Sequence, residues 1–308
     1  MKVTVTGATG TIGSRLVEEL VRRGDEVTVL SRDADRAREA LGEGVEAVSW
    51  PDPKNAAAPA EALSGRDGVV HLLGEPIAQR WTDAAKREIR DSRVLATENL
   101  VRGLAAADPR PRVLVSQSGE GVYPRGAHPV DESTDPARGE FLPEVVLAWE
   151  GAAAKAGELG LRVVTARTGV VLSPGGGALA KMLPFFRLGV GGPVAGGDQW
   201  FPWVHLDDAV GALLLCLDHD DARGPVNIAA PNPVTNRELS KALGRVLRRP
   251  AVLPVPALAL RVLYGEMAGI VTTGANVVPR RLEEVGYRFR QPDLEPALRS
   301  ATGRGPER

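Results

Sequence analysis

Gly7, Gly10 and Gly13 lie three residues apart, between a β-branched run, Val3-Thr4-Val5, and apolar residues at helical spacing, Leu16, Val17, Leu20 and Val21. A strand that turns through glycines into a helix is the setting that a dinucleotide's pyrophosphate requires. Gly7 permits the tight turn, Gly10 lets the phosphates approach the backbone, and Gly13 lets the helix pack closely on the strand. Thr9, Gly10, Thr11, Ile12 and Gly13 then offer N–H groups at the positive end of the helix dipole. A glycine-rich turn that binds nothing is the competing reading. The next strand, "EVTVLSR", counts against it, because it ends in residues suited to the cofactor's ribose. An acid there hydrogen-bonds the 2′-hydroxyl of NAD, whereas a base accommodates the 2′-phosphate of NADP. Ser31 and Arg32 come first and Asp33 follows. The Arg32 fork matches a phosphate and Ser31 adds a hydroxyl, so NADP(H) is the expected cofactor, with Asp33 keeping NAD open.

Further along, Asp52 either reaches the adenine or closes the turn Pro51-Asp52-Pro53. Leu73, Gly74 and Glu75 stand at the carboxyl end of a fourth strand, where ligands of parallel sheets lie. Ser116 and Ser118 share one face of the strand "PRVLVSQSG", and either hydroxyl suits a substrate carbonyl or ordinary strand-end hydrogen bonding. Glu120, between two glycines, becomes a general base if burial raises its pKa, and a solvated carboxylate if it points outward. Tyr123 is an acid or hydrogen-bond donor near that place, or a packing residue. Arg80-Trp81 and Gln199-Trp200 each pair an aromatic plane with a polar group, as a sugar or heteroaromatic ligand needs, although core packing also explains the tryptophans. His205 invites a proton-transfer role or a structural one. The four histidines lack metal-ligand spacing, so no metal site is expected.

The elements that must position these residues alternate strand and helix. Strands are read near 2–6, at "EVTVLSR", "GVEAVSWPDP", "DGVVHLLGEP", "PRVLVSQSG" and "GLRVVTARTGVVL", with a long helix near 82–107. This predicts an α/β, Rossmann-like doubly wound parallel sheet with right-handed crossovers over residues 1–172, to which a strand at 225–230 returns. From 173 to 224 the chain is rich in Gly and Pro and carries Phe185, Phe186, Trp200 and Trp203, which reads as a lid or substrate loop region. Residues 231–308 read as a small, mostly helical C-terminal substrate lobe. At 308 residues, 43% hydrophobic and 25% charged, the composition is that of an ordinary globular protein. A net charge of −1 gives no reason to expect nucleic acid or an anionic membrane. The single cysteine, Cys216, excludes an internal disulfide and reads as core filler. The start leads directly into a strand and no apolar run approaches the roughly 18 residues of a bilayer span, so a cytoplasmic protein is expected.

"TGATGTIG", the paired serines of "VSQSG", "RTGVVL", "WVHLDD" and "VNIAA" resemble an extended or atypical short-chain dehydrogenase/reductase. More narrowly, "LGEPIAQRWTDAAKREIRDSRVLAT", "FLPEVVLAWEGAA" and the segment from "VPALALRVLYGEMAG" onward are similar to a sugar-nucleotide-epimerase-like oxidoreductase branch with a small C-terminal domain. The resemblance implies an oxidoreductase or epimerase-like enzyme acting on a small polar substrate, with Ser118 at the catalytic-serine position, Asp208 as a bracing acid, and homodimers paired through helices flanking the sheet. It also exposes a gap. These enzymes usually work through Tyr-x-x-x-Lys, where the lysine lowers the tyrosine pKa and the tyrosine exchanges a proton with the substrate. Four residues after Tyr123, Tyr264 and Tyr287 stand Ala127, Ala268 and Gln291. Val145 and Trp149, or Leu142 and Val146, fill the pair's place. The branch typically reads Ser-Ala-apolar-Gly-Tyr-Tyr-Gly where this chain has Ser118-Gly119-Glu120-Gly121-Val122-Tyr123-Pro124, so a carboxylate has entered and one tyrosine is lost. Ser118, Glu120 and Tyr123 are therefore the catalytic candidates. A non-redox lyase, epimerase or cyclase driven by Glu120, and a non-catalytic NADP(H)-binding regulator, are the alternatives that the missing pair keeps open.

Overall fold

The computed structural model describes residues 1–304. Runs of β-branched residues form seven parallel strands: β1 (Lys2–Thr6), β2 (Glu26–Ser31), β3 (Val45–Ser49), β4 (Gly68–His71), β5 (Val113–Gly119), β6 (Arg162–Thr168) and β7 (Gly224–Ile228). Their order in the sheet is β7-β6-β5-β4-β1-β2-β3, so the chain winds outward in both directions from β1 and β4. Val3 through Thr6 of β1 are fully buried, because a central parallel strand is covered on both faces.

Two apolar layers enclose the sheet. On one face α1 (Thr11–Arg22) and α6 (Leu206–Asp218) press Leu16, Leu20, Val210, Leu213 and Leu217 against the valines of β1, β2, β5, β6 and β7. On the other, α3 (Asp83–Ala106) and α4 (Phe141–Ala154) bring Leu100, Leu104 and Ala153 onto Val69 and Leu114. Alpha-helix α2 (Ala34–Leu41) lines the β2–β3 edge. A third core joins α5 (Gly177–Arg187), α7 (Asn236–Leu247) and the helix Leu294–Ala301 around Trp203.

The 173–224 segment divides where the sequence suggests one loop-rich region. Its first part is irregular apart from α5 and two short strands, Trp200–Phe201 and Trp203–His205. Its second part is α6, whose apolar face (Ala209, Val210, Ala212, Leu213, Cys216, Leu217) belongs to the sheet's own core. Helical spacing of small apolar residues outweighs the neighbouring glycines there. Cys216 is fully buried, and burial pushes its thiol up to about 12, which keeps it inert. Asp208, in the first turn of α6, ties the C-terminal chain to the sheet. Its carboxylate accepts the N–H groups of Arg290 (2.7 Å) and Gln291 (2.8 Å), and Tyr287 donates to its backbone carbonyl at 3.1 Å.

His71 closes β4 and is fully buried. Its Nδ1 meets the Thr6 hydroxyl at 2.8 Å and its Nε2 the Thr97 hydroxyl at 3.0 Å, which pins α3 to β1. Burial pulls its pKa down to about 3, so the ring is neutral in the fold and takes up a proton below pH 6.5 only on unfolding. The stability this supplies is complete above about pH 6.5 and is lost as the pH falls toward 3. Urea unfolding should show wild type losing more stability than His71→Gln between pH 7 and 5, by on the order of 2 kcal/mol. Parallel pH profiles for the two proteins would refute this.

Candidate active site

The glycine loop sits at the carboxyl end of β1 and is shaped for close approach. Gly7 has φ +67°, and a Cβ on it would lie 2.7 Å from the Leu72 carbonyl oxygen. A Cβ on Gly13 would lie 2.2 Å from the Gly7 carbonyl oxygen, so α1 packs on the loop only because both positions are bare. Gly10 donates to the Gly7 carbonyl at 3.1 Å and opens α1, which has neither a side-chain cap nor an acid in its first turn. Thr9, Gly10 and Thr11 are exposed beside it. Free donors at an uncapped, acid-free helix start fit a pyrophosphate.

The end of β2 distinguishes its two charges. The Ser31 hydroxyl donates to the Asp33 carbonyl (2.9 Å), and Asp33 caps α2 by accepting the Arg36 N–H at 3.0 Å. One oxygen of the Asp33 carboxylate is thus engaged by the helix it caps. Arg32 is exposed and has no ion pair among the described residues. A phosphate fits this arrangement better than a bare ribose hydroxyl does. Asp52 accepts both hydrogen bonds of the Asn55 amide (3.0 and 2.9 Å) and is occupied in closing its turn. Leu73, Gly74 and Glu75 follow β4, where the Glu75 N–H donates to the Ser92 hydroxyl at 3.0 Å.

At the carboxyl end of β5 the structure separates the three catalytic candidates. Ser118 is 3% exposed and its hydroxyl donates to Glu150 of α4 at 2.6 Å. The same carboxylate receives a two-pronged bond from Arg167 of β6, with both contacts at 2.8 Å. Arg167 continues to the Tyr123 hydroxyl (3.0 Å), Tyr123 donates to Asn227 of β7 (2.7 Å), and the Asn227 N–H reaches Glu132 (2.8 Å). Burial works to lower the Arg167 guanidinium, but Glu150 outweighs it and holds the charge. Burial raises the Tyr123 phenol. The Ser118 proton and the Tyr123 hydroxyl, read from sequence as groups for a substrate, are engaged in this chain across four elements.

Glu120 differs. It lies in the short helical turn Glu120–Val122, is half-buried, and its carboxylate makes no hydrogen bond among the described residues. Burial pushes its carboxyl up to about 7, against a smaller opposing pull from Arg125. The α4 side chains facing it are apolar. A Cβ on Gly121 would lie 2.6 Å from Leu142, and one on Gly119 would lie 3.9 Å from Val146. Leu142 and Val146 thus lie beside the two glycines that flank Glu120.

The other substrate candidates knit the lobes together. Arg80 donates to the Val262 carbonyl at 3.0 Å, and the Gln199 amide donates to the carbonyls of Val194 and Val271, both at 3.0 Å. Trp81 donates to the Ile77 carbonyl (3.0 Å) and meets the Phe141 ring edge-on, 4.9 Å between centroids. The Trp200 carbonyl lies against Gly274, where a Cβ would come within 1.9 Å. His205 caps α6, accepting the Asp207 N–H at 3.2 Å, and burial lowers its pKa. Glu150, Arg167 and Asn227 were not legible as site residues. One signal was present: an arginine inside the apolar strand "VVTARTGVV" requires a buried partner.

Removing that partner has a defined cost. Glu150→Gln strands the Arg167 charge, and urea denaturation should show a loss of about 3–5 kcal/mol. Glu150→Gln with Arg167→Met should cost less than the two single changes summed; strict additivity would show that the pair is not coupled.

Residues 3–229 match the NAD dependent epimerase/dehydratase family, and residues 255–301 match a domain of unknown function (DUF1731). The epimerase family protein SDR39U1 homolog of Arabidopsis thaliana, a chloroplastic protein, is 40% identical over 306 residues, covering 97% of this chain and 86% of that one. The epimerase family protein YfhF of Bacillus subtilis is 33% identical over 299 residues, covering 97% of both. The crystal structure of human epimerase family protein SDR39U1 (isoform 2) with NADPH superposes with a TM-score of 0.87 at 33% identity, covering 98% of this chain and 99% of that one. The chain belongs to the NAD dependent epimerase/dehydratase family and carries the C-terminal domain of unknown function beside it.

Proposed function

We propose that this protein is an NADP(H)-dependent oxidoreductase or epimerase-like enzyme that acts on a small polar substrate, with Glu120 as its proton carrier. The cofactor, when bound, supplies or accepts hydride at its nicotinamide. The protein's share is to hold and to move a proton. The N–H groups at the start of α1 receive the pyrophosphate, and Arg32 receives the 2′-phosphate. The NADPH-bound human relative supports this choice of cofactor.

One contrast carries the chemical reading. Among the three catalytic candidates, Glu120 alone has an unspent polar group, and its carboxyl lies near 7, where an acid–base catalyst is most effective. It takes a proton from a substrate hydroxyl in one direction and returns it to a carbonyl oxygen in the other. Ser118 and Tyr123 act as positioning residues through Glu150 and Arg167. The absence of a Tyr-x-x-x-Lys pair favours a second reading: elimination or epimerisation at Glu120 without net redox change. Product formed at constant NADPH absorbance selects the second reading, and stoichiometric NADPH consumption selects the first.

Calorimetric titration should find NADPH bound at least tenfold tighter than NADH, and Arg32→Ala should abolish the difference. Equal affinities in wild type would refute the NADP(H) assignment. Glu120→Gln should lower turnover at least 100-fold while leaving NADPH affinity unchanged, and the wild-type rate in the deprotonated-base direction should climb through about pH 7. A substrate-free check exists too. Ionised Glu120 is less favourable in the fold than in the unfolded chain, so its contribution to stability falls as pH rises from 4.5 to 7. Glu120→Gln should therefore raise the melting temperature at pH 8 and leave it unchanged at pH 4.5; the opposite pattern would mean the carboxylate is solvated.

A further inference from the structure

Two arginines whose guanidinium groups are buried, Arg167 and Arg162, are each held by several partners. Arg167 is bound to Glu150 and Tyr123. Arg162 donates to the carbonyls of Cys216, Leu217 and Ala222 at 2.7–2.8 Å. Arg93 of α3 is different. Its single hydrogen bond runs from Nη1 to the Ile89 carbonyl, one turn back in its own helix, at 3.0 Å. No carboxylate among the described residues lies within ion-pair distance of it, and Glu75 acts on it only at longer range.

The guanidinium is nevertheless held in place. It lies over the Trp149 ring, 5.2 Å from the centroid, so an aromatic face replaces part of its water. Its outer edge is the Nε–Nη2 fork, the edge that binds a carboxylate or phosphate with two parallel hydrogen bonds. A Cβ on Gly74 would stand 3.0 Å from Cζ, 3.1 Å from Nη2 and 3.3 Å from Nε, so the chain after β4 packs on the face of the guanidinium. Gly74 does not have a left-handed φ, so its backbone does not demand glycine. Its bareness instead lets the guanidinium lie against the carboxyl end of β4, where Nε and Nη2 have no hydrogen-bond partner among the described residues.

We propose that Arg93 binds an anionic group of the substrate, a carboxylate or a phosphate, at the carboxyl end of β4. The proposal rests on the reading of this cleft as an enzyme site given above. The cofactor's own anionic groups have donors elsewhere, at the start of α1 and at Arg32. Arg93 lies against Gly74 just past β4, the sheet neighbour of β5 whose end carries Ser118, so it belongs to the same end of the sheet. The Trp149 platform fixes the fork's plane, which makes recognition of a planar two-oxygen group favourable without ordering a flexible side chain. Burial lowers its pKa only to about 10, leaving it cationic at neutral pH.

The test is calorimetric titration of acetate, malonate and inorganic phosphate, at constant ionic strength, into wild type, Arg93→Lys and Arg93→Met saturated with NADPH. At least one anion should bind wild type, with binding weakened at least tenfold in Arg93→Met and partly retained in Arg93→Lys. NADPH affinity should change less than threefold. Circular dichroism and melting temperatures establish that both variants fold. Failure of all three anions to bind the NADPH complex, or equal anion binding by Arg93→Met, overturns the proposal. So does a tenfold loss of NADPH affinity in Arg93→Met, which would assign the fork to the cofactor's own phosphates. NADPH binding by wild type is measured first. Its absence would overturn the cofactor reading, and the anion titration on the unliganded protein would still decide the role of Arg93.

Discussion

The buried pair between Glu150 and Arg167 is the constraint on which the reaction end of this protein depends. Each group alone is costly inside an apolar sheet-and-helix layer, since a desolvated charge loses more hydration than one contact restores. Together, with Ser118 donating to Glu150 and the Tyr123 hydroxyl accepting from Arg167, they form one hydrogen-bonded network. The network fixes α4 against β5 and β6 and reaches Glu132 through Asn227 of β7. Glu132 also accepts the Arg281 N–H at 3.2 Å, which draws the C-terminal chain into the same arrangement. Low local dielectric makes such a network rigid when complete and unstable when broken.

The two ends of the cleft are built from different materials. The proposed cofactor end is backbone: three glycines, an uncapped helix start, and carbonyl contacts that leave no room for a Cβ. The proposed reaction end is side chain: a Glu120 carboxylate without a hydrogen-bond partner among the described residues, Arg93 stacked on Trp149, and apolar Leu142 and Val146. A backbone site serves a ligand of fixed shape, and the side-chain end can change its chemistry without disturbing it. Loss of the tyrosine–lysine pair therefore leaves the fold and the cofactor groove intact.

Charges in this protein sort by whether a partner is supplied. Asp33 and Asp208 both accept backbone N–H groups, the first at the start of α2 and the second holding residues 290 and 291. Both oxygens of the buried Asp208 carboxylate are engaged in this way. Arg32 has no ion pair and Arg93 has only a carbonyl and a ring face, so each retains donors for an anion from outside. The distinction rests on hydrogen-bond accounting, because a buried or helix-capping group that is already satisfied gains little from a new partner.

Much of the architecture was legible in the sequence because it rests on local periodicity. The β-branched runs give β1 through β7, the glycines give the turn, and helical spacing gives α1 and α3. "LDDAVGALLLCLD" was misplaced, since its glycine-rich neighbourhood concealed a helix of the main core. The residue types at the site were also visible: Arg32 before Asp33, Glu120 between glycines, and no tyrosine–lysine pair. Their roles were not. Whether a serine donates to a substrate or to Glu150, and whether Asp33 meets a ribose or caps a helix, depends on which groups distant segments bring within 3 Å. Sequence determined which chemistries the chain carries; tertiary structure decided which of those groups were already spent, because a hydroxyl proton or a carboxylate lone pair serves one partner at a time.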